Sequence, residues 1–249
     1  MRNYFHWTTS VGAVLLAWQS VYWLQIFHPF LLPSPVSVLQ TVIVLFVSGS
    51  VLPDLAATMV RVFEGLALAA FFGIPIGIVM GYSTRVYRSL EFLVDFFRSM
   101  PATALVPLCI MFFGIGEMPR VVLIAFSCGL IMLVNTTYGV RNANKIRIMV
   151  AKSLHAGDIA ILRKVLLPES LPFIFSGARI AISLALILEI VTGMIIGGNT
   201  GLGVRIVNAQ LTFDATTLYA LIIIIGLLGY TINKAYVTVE RRIVHWSGK

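Results

Sequence analysis

Residues 172–196 read PFIFSGARIAISLALILEIVTGMII, an apolar run in which only Arg179 and Glu189 are charged. A helix needs about 20 predominantly apolar residues to cross a bilayer. This run is long enough, so the stretch predicts a membrane-spanning helix with one acidic side chain deep inside it. An ionisable residue at such depth is costly and is a candidate for function unless a neighbouring helix pairs it.

Working outward, the whole chain has the same character. Of its 249 residues, 59% are hydrophobic and 11% are charged, and the mean hydropathy is +0.95. The pattern predicts an all-α integral membrane protein with one transmembrane domain over 1–249 and no separate soluble catalytic domain. Six spans are expected, at about 9–27, 58–81, 90–113, 119–140, 172–196 and 215–236. The first is interpreted as an uncleaved span and not as a signal peptide.

The net charge of +8 reflects membrane topology and does not indicate nucleic-acid binding. Lys and Arg gather after the second and fourth spans and at the carboxyl end, and loops with this excess face the cytoplasm. Both termini and the long loop 141–171 are therefore expected to be cytoplasmic. The opposite loops are nearly free of basic residues, apart from Arg205 and, near span ends, Arg61 and Arg120. The apolar stretch 31–50 is expected to form an outer-surface or partly inserted helix.

Small residues recur every fourth position in the second and fifth spans, which allows close approach of another membrane helix. Arg61 begins the first row, and Glu64 lies three residues later, where the two can pair. Glu189 belongs to the second row and is expected to face protein or water, either as a gate residue or as a hydrogen-bonded structural carboxyl. The predicted helix-packing rows are Gly65, Ala69, Gly73, Gly77 and Gly81, and Gly177, Ala181, Ala185 and Gly193.

Two prolines, Pro101 and Pro107, are expected to bend or break the third span, as happens where membrane helices line a cavity. No catalytic constellation accompanies them. The histidines are scattered, the two cysteines lack metal-ligand spacing, and HExxH, GxSxG and phosphate-loop motifs are absent from the sequence. The chain is therefore expected to be neither an enzyme nor a metal protein. Transport against a gradient would draw its energy from a partner or an ion.

Several motifs resemble the permease subunits of bacterial ABC importers, in the nitrate, sulfonate, taurine and bicarbonate branch. Leu32–Pro35 reads LPSP, and residues 98–117 read RSMPATALVPLCIMFFGIGE. Residues 151–172, AKSLHAGDIAILRKVLLPESLP, resemble the EAA loop, which ends in Leu-Pro. Ala151 matches the last signature Ala, and His155 stands where the family usually has Gly. A further departure is Met194, where the family often carries Glu.

The resemblance implies a type I ABC importer permease fold in the bacterial inner membrane. It implies two permease subunits, here expected to be a homodimer, two cytoplasmic ATPase subunits that carry ATP and Mg, and an external solute-binding protein. The chain itself would hold no cofactor. Pathway candidates are Asn135, Thr136, Pro101, Pro107 and Glu189, and the ATPase-coupling residues are Ala151, Lys152, Ser153, Leu154, His155, Ala156, Gly157 and Asp158.

Within this coupling loop, Ala151, Leu154 and His155 are expected to form the docking face. Gly157 is expected to take the positive φ of the reversal, because glycine enters that region without steric cost. The substrate is expected to be a small anion. Alternatives are a neutral heterocycle on the same fold, an ion-coupled secondary transporter, which would show paired midplane charges and inverted repeats, and a membrane assembly protein without transport.

Overall fold

A computed structural model describes residues 2–244, and within that range every regular element is a helix. Met1 and residues 245–249, at the two ends predicted to be cytoplasmic, lie outside the described residues. The α-helices are α1 (Arg2–Trp23), α2 (Pro35–Val47), α3 (Leu52–Tyr82), α4 (Thr84–Ser99), α5 (Val106–Phe113), α6 (Glu117–Arg141), α7 (Lys145–Ser153), α8 (Asp158–Ile161), α9 (Leu167–Ile196), α10 (Leu202–Leu211) and α11 (Ala215–Ile243).

Four helices of the described chain are long and apolar enough to cross a membrane, namely α3, α6, α11 and the continuous helix Asp158–Ile196. The bent pair α4–α5 would make a fifth. The prediction of an all-α membrane fold is confirmed. The span expected at 9–27 falls on α1, which ends at Trp23 and is not among these helices. The stretch 31–50 forms the short helix α2, which packs against α11.

The third predicted span is not a single helix. Helix α4 ends at Ser99, and the chain then turns by 91° into the next helical segment. Met100 is extended, with φ −81° and ψ 133°, because a following proline disfavours the helical region. Pro101 then precedes a short 3₁₀ turn, Ala102–Leu105. Pro107 lies in the first turn of α5, where a missing N–H costs nothing, so the break occurs at Pro101 alone.

Helices α3 and α6 form the centre of the bundle, and the row of small residues on α3 lies in their contact. A Cβ atom added at Gly73 would lie 2.5 Å from the carbonyl oxygen of Gly129, and one added at Gly77 would lie 2.6 Å from that of Leu133. The α9 row faces the other side of α6, where a Cβ at Gly177 would lie 2.6 Å from the Asn135 side chain.

The sequence alone leaves open whether the helix that approaches these rows belongs to a second permease copy or to the same chain. The close approach is made, but the helix that approaches is α6 of the same chain. We infer that bulky substitutions in these rows act first on the folding of one subunit.

Gly77→Ala is therefore expected to destabilise the monomer by about 1–3 kcal/mol, the usual cost of overpacking a core. Gly226→Ala in α11 is the matched control, because its new Cβ would meet no atom within 4 Å among the described residues. That variant should be neutral or up to about 1 kcal/mol more stable, since alanine is the better helix former. Thermal unfolding in detergent measures both, and equal effects would contradict the packing argument.

Candidate functional site

The loop that resembles the coupling element forms a helical hairpin at one end of the bundle. Asn144 caps α7 by accepting hydrogen bonds from the backbone of Ile146 and Arg147. Helix α7 ends in a Schellman motif: the Ala156 N–H donates to the Ala151 carbonyl at 3.0 Å and the His155 N–H to the Lys152 carbonyl at 2.9 Å.

The left-handed residue of this motif is His155, with φ +58°. Gly157 has φ −66° and ψ 159°, so the expectation that it takes the positive φ was wrong. The two hydrogen bonds fix which residue must be left-handed, and it is the residue that follows the C-cap residue Leu154. His155 thus adopts the backbone conformation at the position where the resembling family has glycine.

His155→Gly is expected to raise the stability of the chain by about 1 kcal/mol, because a left-handed side chain costs roughly 1–2 kcal/mol that glycine avoids. The rise should appear as a thermal shift of about 2–4 °C for a chain of this size. Gly157→Ala is the control and should change little, since residue 157 is extended. A larger loss of stability in Gly157→Ala than in His155→Ala would contradict the assignment of the left-handed position to residue 155.

The outer face of the hairpin is apolar. Leu154 is 77% exposed, and Met149, Val150 and Ile159 are exposed as well. Ala151 points the other way, into a small core formed with Val140, Ala143, Ile161 and Leu166. The predicted docking face of Ala151, Leu154 and His155 is therefore divided, because the helix must also bury one side against the bundle.

Glu169 at the start of α9 links the hairpin to α9 by hydrogen bonds and an ion pair. Its carboxylate accepts hydrogen bonds from the Asn144 backbone and, at 2.9 Å, from Arg147 Nη1. These contacts join the start of α7 to α9, while the apolar face of the hairpin stays uncovered by the described chain.

At the opposite end of the bundle lies a buried charge cluster, which we define as Arg61, Arg120, Glu117 and Glu189. Glu189 is 1% exposed, and each arginine is 2% exposed. Arg61 Nη1 donates to Glu189 Oε1 at 3.0 Å, and Arg120 Nη1 lies 3.7 Å from the same oxygen. The deep acid therefore bridges two like charges that would otherwise repel each other in a medium of low dielectric constant.

Arg61 also binds a second carboxylate, that of Glu117 at the start of α6. Its Nε and Nη2 atoms both donate to Glu117, the latter at 2.6 Å from Oε1. The expected pair of Arg61 with Glu64 is wrong: Glu64 is exposed on another side of α3, whereas Arg61 shares the face of Gly65, which is turned towards α6.

The cluster holds the loop between α9 and α10, Gly197–Gly201. Arg120 Nη2 donates to the Gly197 carbonyl, and Arg61 Nη1 donates to the Thr200 carbonyl at 3.1 Å. Gly201 has φ +127°, and a Cβ there would lie 2.8 Å from Arg61 Nη1. Glycine is therefore required at 201 both by its backbone conformation and by the guanidinium beside it.

The α3 helix completes this attachment from its first turns. Asp54 accepts a hydrogen bond from the Gly201 N–H at 2.8 Å and pairs with Arg205 Nη1 at 2.8 Å. The Thr58 hydroxyl accepts from the Leu202 N–H at 3.1 Å. The start of α10 is thus held by side chains of α3, and a movement of α10 relative to α3 would break these contacts.

The other pathway candidates do not join this cluster. Thr136 is buried between α3 and α6 beside Gly77, and Asn135 donates to the Ile131 carbonyl at 2.9 Å beside Gly177. They lie roughly 22 Å from Arg120 along α6, at 1.5 Å per residue. Pro101 and Pro107 are exposed on the surface of the described chain.

The arginines of the cluster were not recognised as site residues from the sequence. Both lie near the ends of predicted spans, where a basic residue normally reaches the membrane surface. One feature of the sequence did indicate burial of Arg61. It lies four residues before Gly65, at the start of the row of small residues on α3, and so shares their buried face.

A helical bundle with a broken span and a protruding hairpin has the architecture of the membrane permease subunit of an ABC importer. Residues 73–245 match the family described as the binding-protein-dependent transport system inner membrane component. The chain belongs to this family.

Three relatives agree with this assignment. A "probable ABC transporter permease protein" of Brucella melitensis is 36% identical over 86% of this chain and 87% of its own length. The taurine transport system permease protein TauC of Escherichia coli is 31% identical over 97% and 90%. The bicarbonate transport system permease protein CmpB of Synechococcus elongatus is 30% identical over 76% and 68%.

The fold is also found among solved structures. A chain in an inward-facing structure of the MetNI methionine ABC transporter superposes with a TM-score of 0.67, over 76% of this chain and 94% of that chain. The sequence identity is 21%, so the likeness shows the fold alone. It confirms the type I importer permease fold that the sequence motifs imply.

Proposed function

We propose that this chain is the permease subunit of an ATP-driven importer for a small anion, which an external solute-binding protein delivers. Two copies would form an alternating-access pathway between them. The names of the taurine and bicarbonate relatives support an anionic solute over a neutral heterocycle.

The observation that carries the proposal is the uncovered apolar face of the hairpin α7–α8. Leu154, Met149 and Ile159 are large apolar side chains exposed on an otherwise basic loop. An apolar helix face of this kind fits a groove on a partner protein. We propose that the partner is a cytoplasmic ABC ATPase. The hairpin and both termini would then lie on the cytoplasmic side of the inner membrane, and the Gly197–Gly201 loop would lie on the external side.

This chain would then bind no cofactor, and ATP and Mg would be bound by the ATPase. An ion-coupled secondary transporter would show inverted repeats and paired midplane charges, and the sequence offers Glu189 no evident partner. In the fold it contacts both Arg61 and Arg120. The same arginines hold the Gly197–Gly201 loop at one end of the bundle, whereas the exposed apolar face of the hairpin at the other end fits an ATPase partner, so we favour the ATP-driven importer.

The test is uptake into proteoliposomes that contain this chain with its partner ATPase, in the presence of the external binding protein. Uptake of labelled bicarbonate or taurine should require ATP inside the vesicles and should continue when a proton ionophore collapses the ion gradient. Uptake that stops with the ionophore and ignores ATP would overturn the proposal. A labelled neutral heterocycle, tested in parallel, decides the class of substrate.

A further inference from the structure

The exposed carboxylate of Glu117 has an unusual role in the buried charge cluster. Its side chain is 66% exposed, yet it makes the bidentate contact with Arg61, whose side chain is 2% exposed. Glu189, which is fully buried, makes only one hydrogen bond to the same guanidinium. Two parallel donors of Arg61, Nε and Nη2, are therefore bound by the Glu117 carboxylate, which can move away from them into solvent.

The remaining donors of the cluster are incompletely used. Arg120 Nε and Nη1 and Glu189 Oε2 are buried and find no hydrogen-bond partner among the described residues. A buried polar group without a partner is costly. If Glu117 moves away, two guanidinium groups remain with one carboxylate, so the cluster keeps a net charge of +1 that an anion could neutralise.

We propose that Arg61 and Arg120 form a binding site for a monovalent oxyanion, and that Glu117 occupies its outer position as a stand-in carried by the chain itself. The identification of the ligand class as a sulfonate or bicarbonate rests on the proposed function. The existence of the site rests on the geometry alone.

The chemistry of the site selects this class of ligand. Two parallel donors on a planar guanidinium match two oxygens of a carboxylate, bicarbonate or sulfonate. Thr200 Oγ1, which lies 3.2 Å from Arg61 Nη2, provides a hydroxyl beside the same position. Glu189 already neutralises one positive charge, so the site can take one further negative charge, and a neutral ligand would leave the remaining positive charge uncompensated.

The glycines of the loop allow the guanidinium groups to lie directly against its backbone. A Cβ atom at Gly198 would lie 2.9 Å from Arg120 Nη2, and one at Gly201 would lie 3.5 Å from Arg120 Nη1. An anion in the position of the Glu117 carboxylate would take over its hydrogen bonds with Arg61, so the link that Glu117 makes between α6 and α3 would be lost while the arginines stay neutralised.

The experiment measures thermal unfolding of the full chain in nanodiscs, as wild type and as Glu117→Ala, with methanesulfonate, bicarbonate and the neutral analogue dimethyl sulfone. Glu117→Gln is the second variant, in case the alanine variant folds poorly, because its amide retains one acceptor for Arg61. Glu64→Gln is the matched control, since it removes an exposed carboxylate one turn from Arg61 on the same helix.

The expected result is that both Glu117 variants melt lower than wild type and are stabilised saturably by the two anions, by roughly 3–6 °C at about ten times the dissociation constant. Wild type and Glu64→Gln should show at least tenfold weaker binding, and dimethyl sulfone should stabilise none of them. Equal anion effects in wild type, Glu64→Gln and Glu117→Ala would overturn the site.

The source of the anion is decided by uptake. A changed KM for the transported anion in Glu117→Gln would identify the ligand as the solute itself, whereas an unchanged KM with retained anion binding would identify a free anion that acts on the loop. The binding measurement uses neither ATP nor a partner. Failure of the importer proposal and failure of this site are therefore separable.

Discussion

Glu189→Gln is expected to destabilise the folded chain by about 3–5 kcal/mol, because it removes one member of a buried ion pair and leaves the charges of the others uncompensated. Arg61 and Arg120 would both remain buried, with the exposed Glu117 as their remaining carboxylate. Such a loss corresponds to a fall of roughly 6–20 °C in melting temperature for a chain of this size. Thermal unfolding of detergent-purified protein measures it.

The same substitution at Glu64 is the control, since it removes one acidic charge from an exposed position of α3 and should change stability by less than about 0.5 kcal/mol. A second test is the pair Glu189→Gln with Arg120→Gln. Removing both charges leaves two neutral side chains beside the ion pair of Arg61 and Glu117. The double variant should therefore be more stable than the sum of the single losses predicts, by about 1–3 kcal/mol.

If Glu189→Gln has the same melting temperature as wild type and only transport changes, then Glu189 is a gate residue that faces the pathway, which is one of the two roles that the sequence allows. The structure favours the other reading. A carboxylate with two guanidinium partners and 1% exposure holds α3, α6 and α9 together, and its effect on transport would follow from that attachment.

The sequence predicted those features that depend on local pattern. The i+4 rows of small residues predicted close helix packing, and the pair Pro101 and Pro107 predicted a break in the third span, because each follows from the chemistry of residues near one another in the chain. The helix that fills the α3 row could not be predicted in this way. Gly73 meets Gly129, and nothing in either segment alone specifies the other.

The buried charge cluster was missed for the same reason. Arg61 and Glu189 are 128 positions apart, and their pairing depends on how three helices pack. At His155 the error was different: a general preference of glycine for positive φ was applied to Gly157, while the hydrogen bonds of the helix end determine that residue 155 is left-handed.

Leu154→Asp is expected to abolish co-purification of the ATPase, with at least a tenfold loss of association, while the chain still inserts and folds. Leu154 is 77% exposed at the tip of the hairpin, so a carboxylate there costs the isolated subunit little. In a complex the same carboxylate would be buried against an apolar groove without a partner, which is costly. Pull-down of the ATPase and solute-stimulated ATP hydrolysis in liposomes measure the effect.

Ser153→Asp is the matched control, because it adds the same charge at the neighbouring exposed position without removing an apolar side chain. It should retain most of the association. Ala151→Asp is the less informative variant, since Ala151 packs against the core that contains Val140 and Ile161, and a carboxylate there would also unfold the hairpin. Retention of the ATPase and of stimulated hydrolysis by Leu154→Asp would show that coupling occurs through another surface. Loss in both Leu154→Asp and Ser153→Asp would indicate that charge on the hairpin, and not its apolar face, controls the contact.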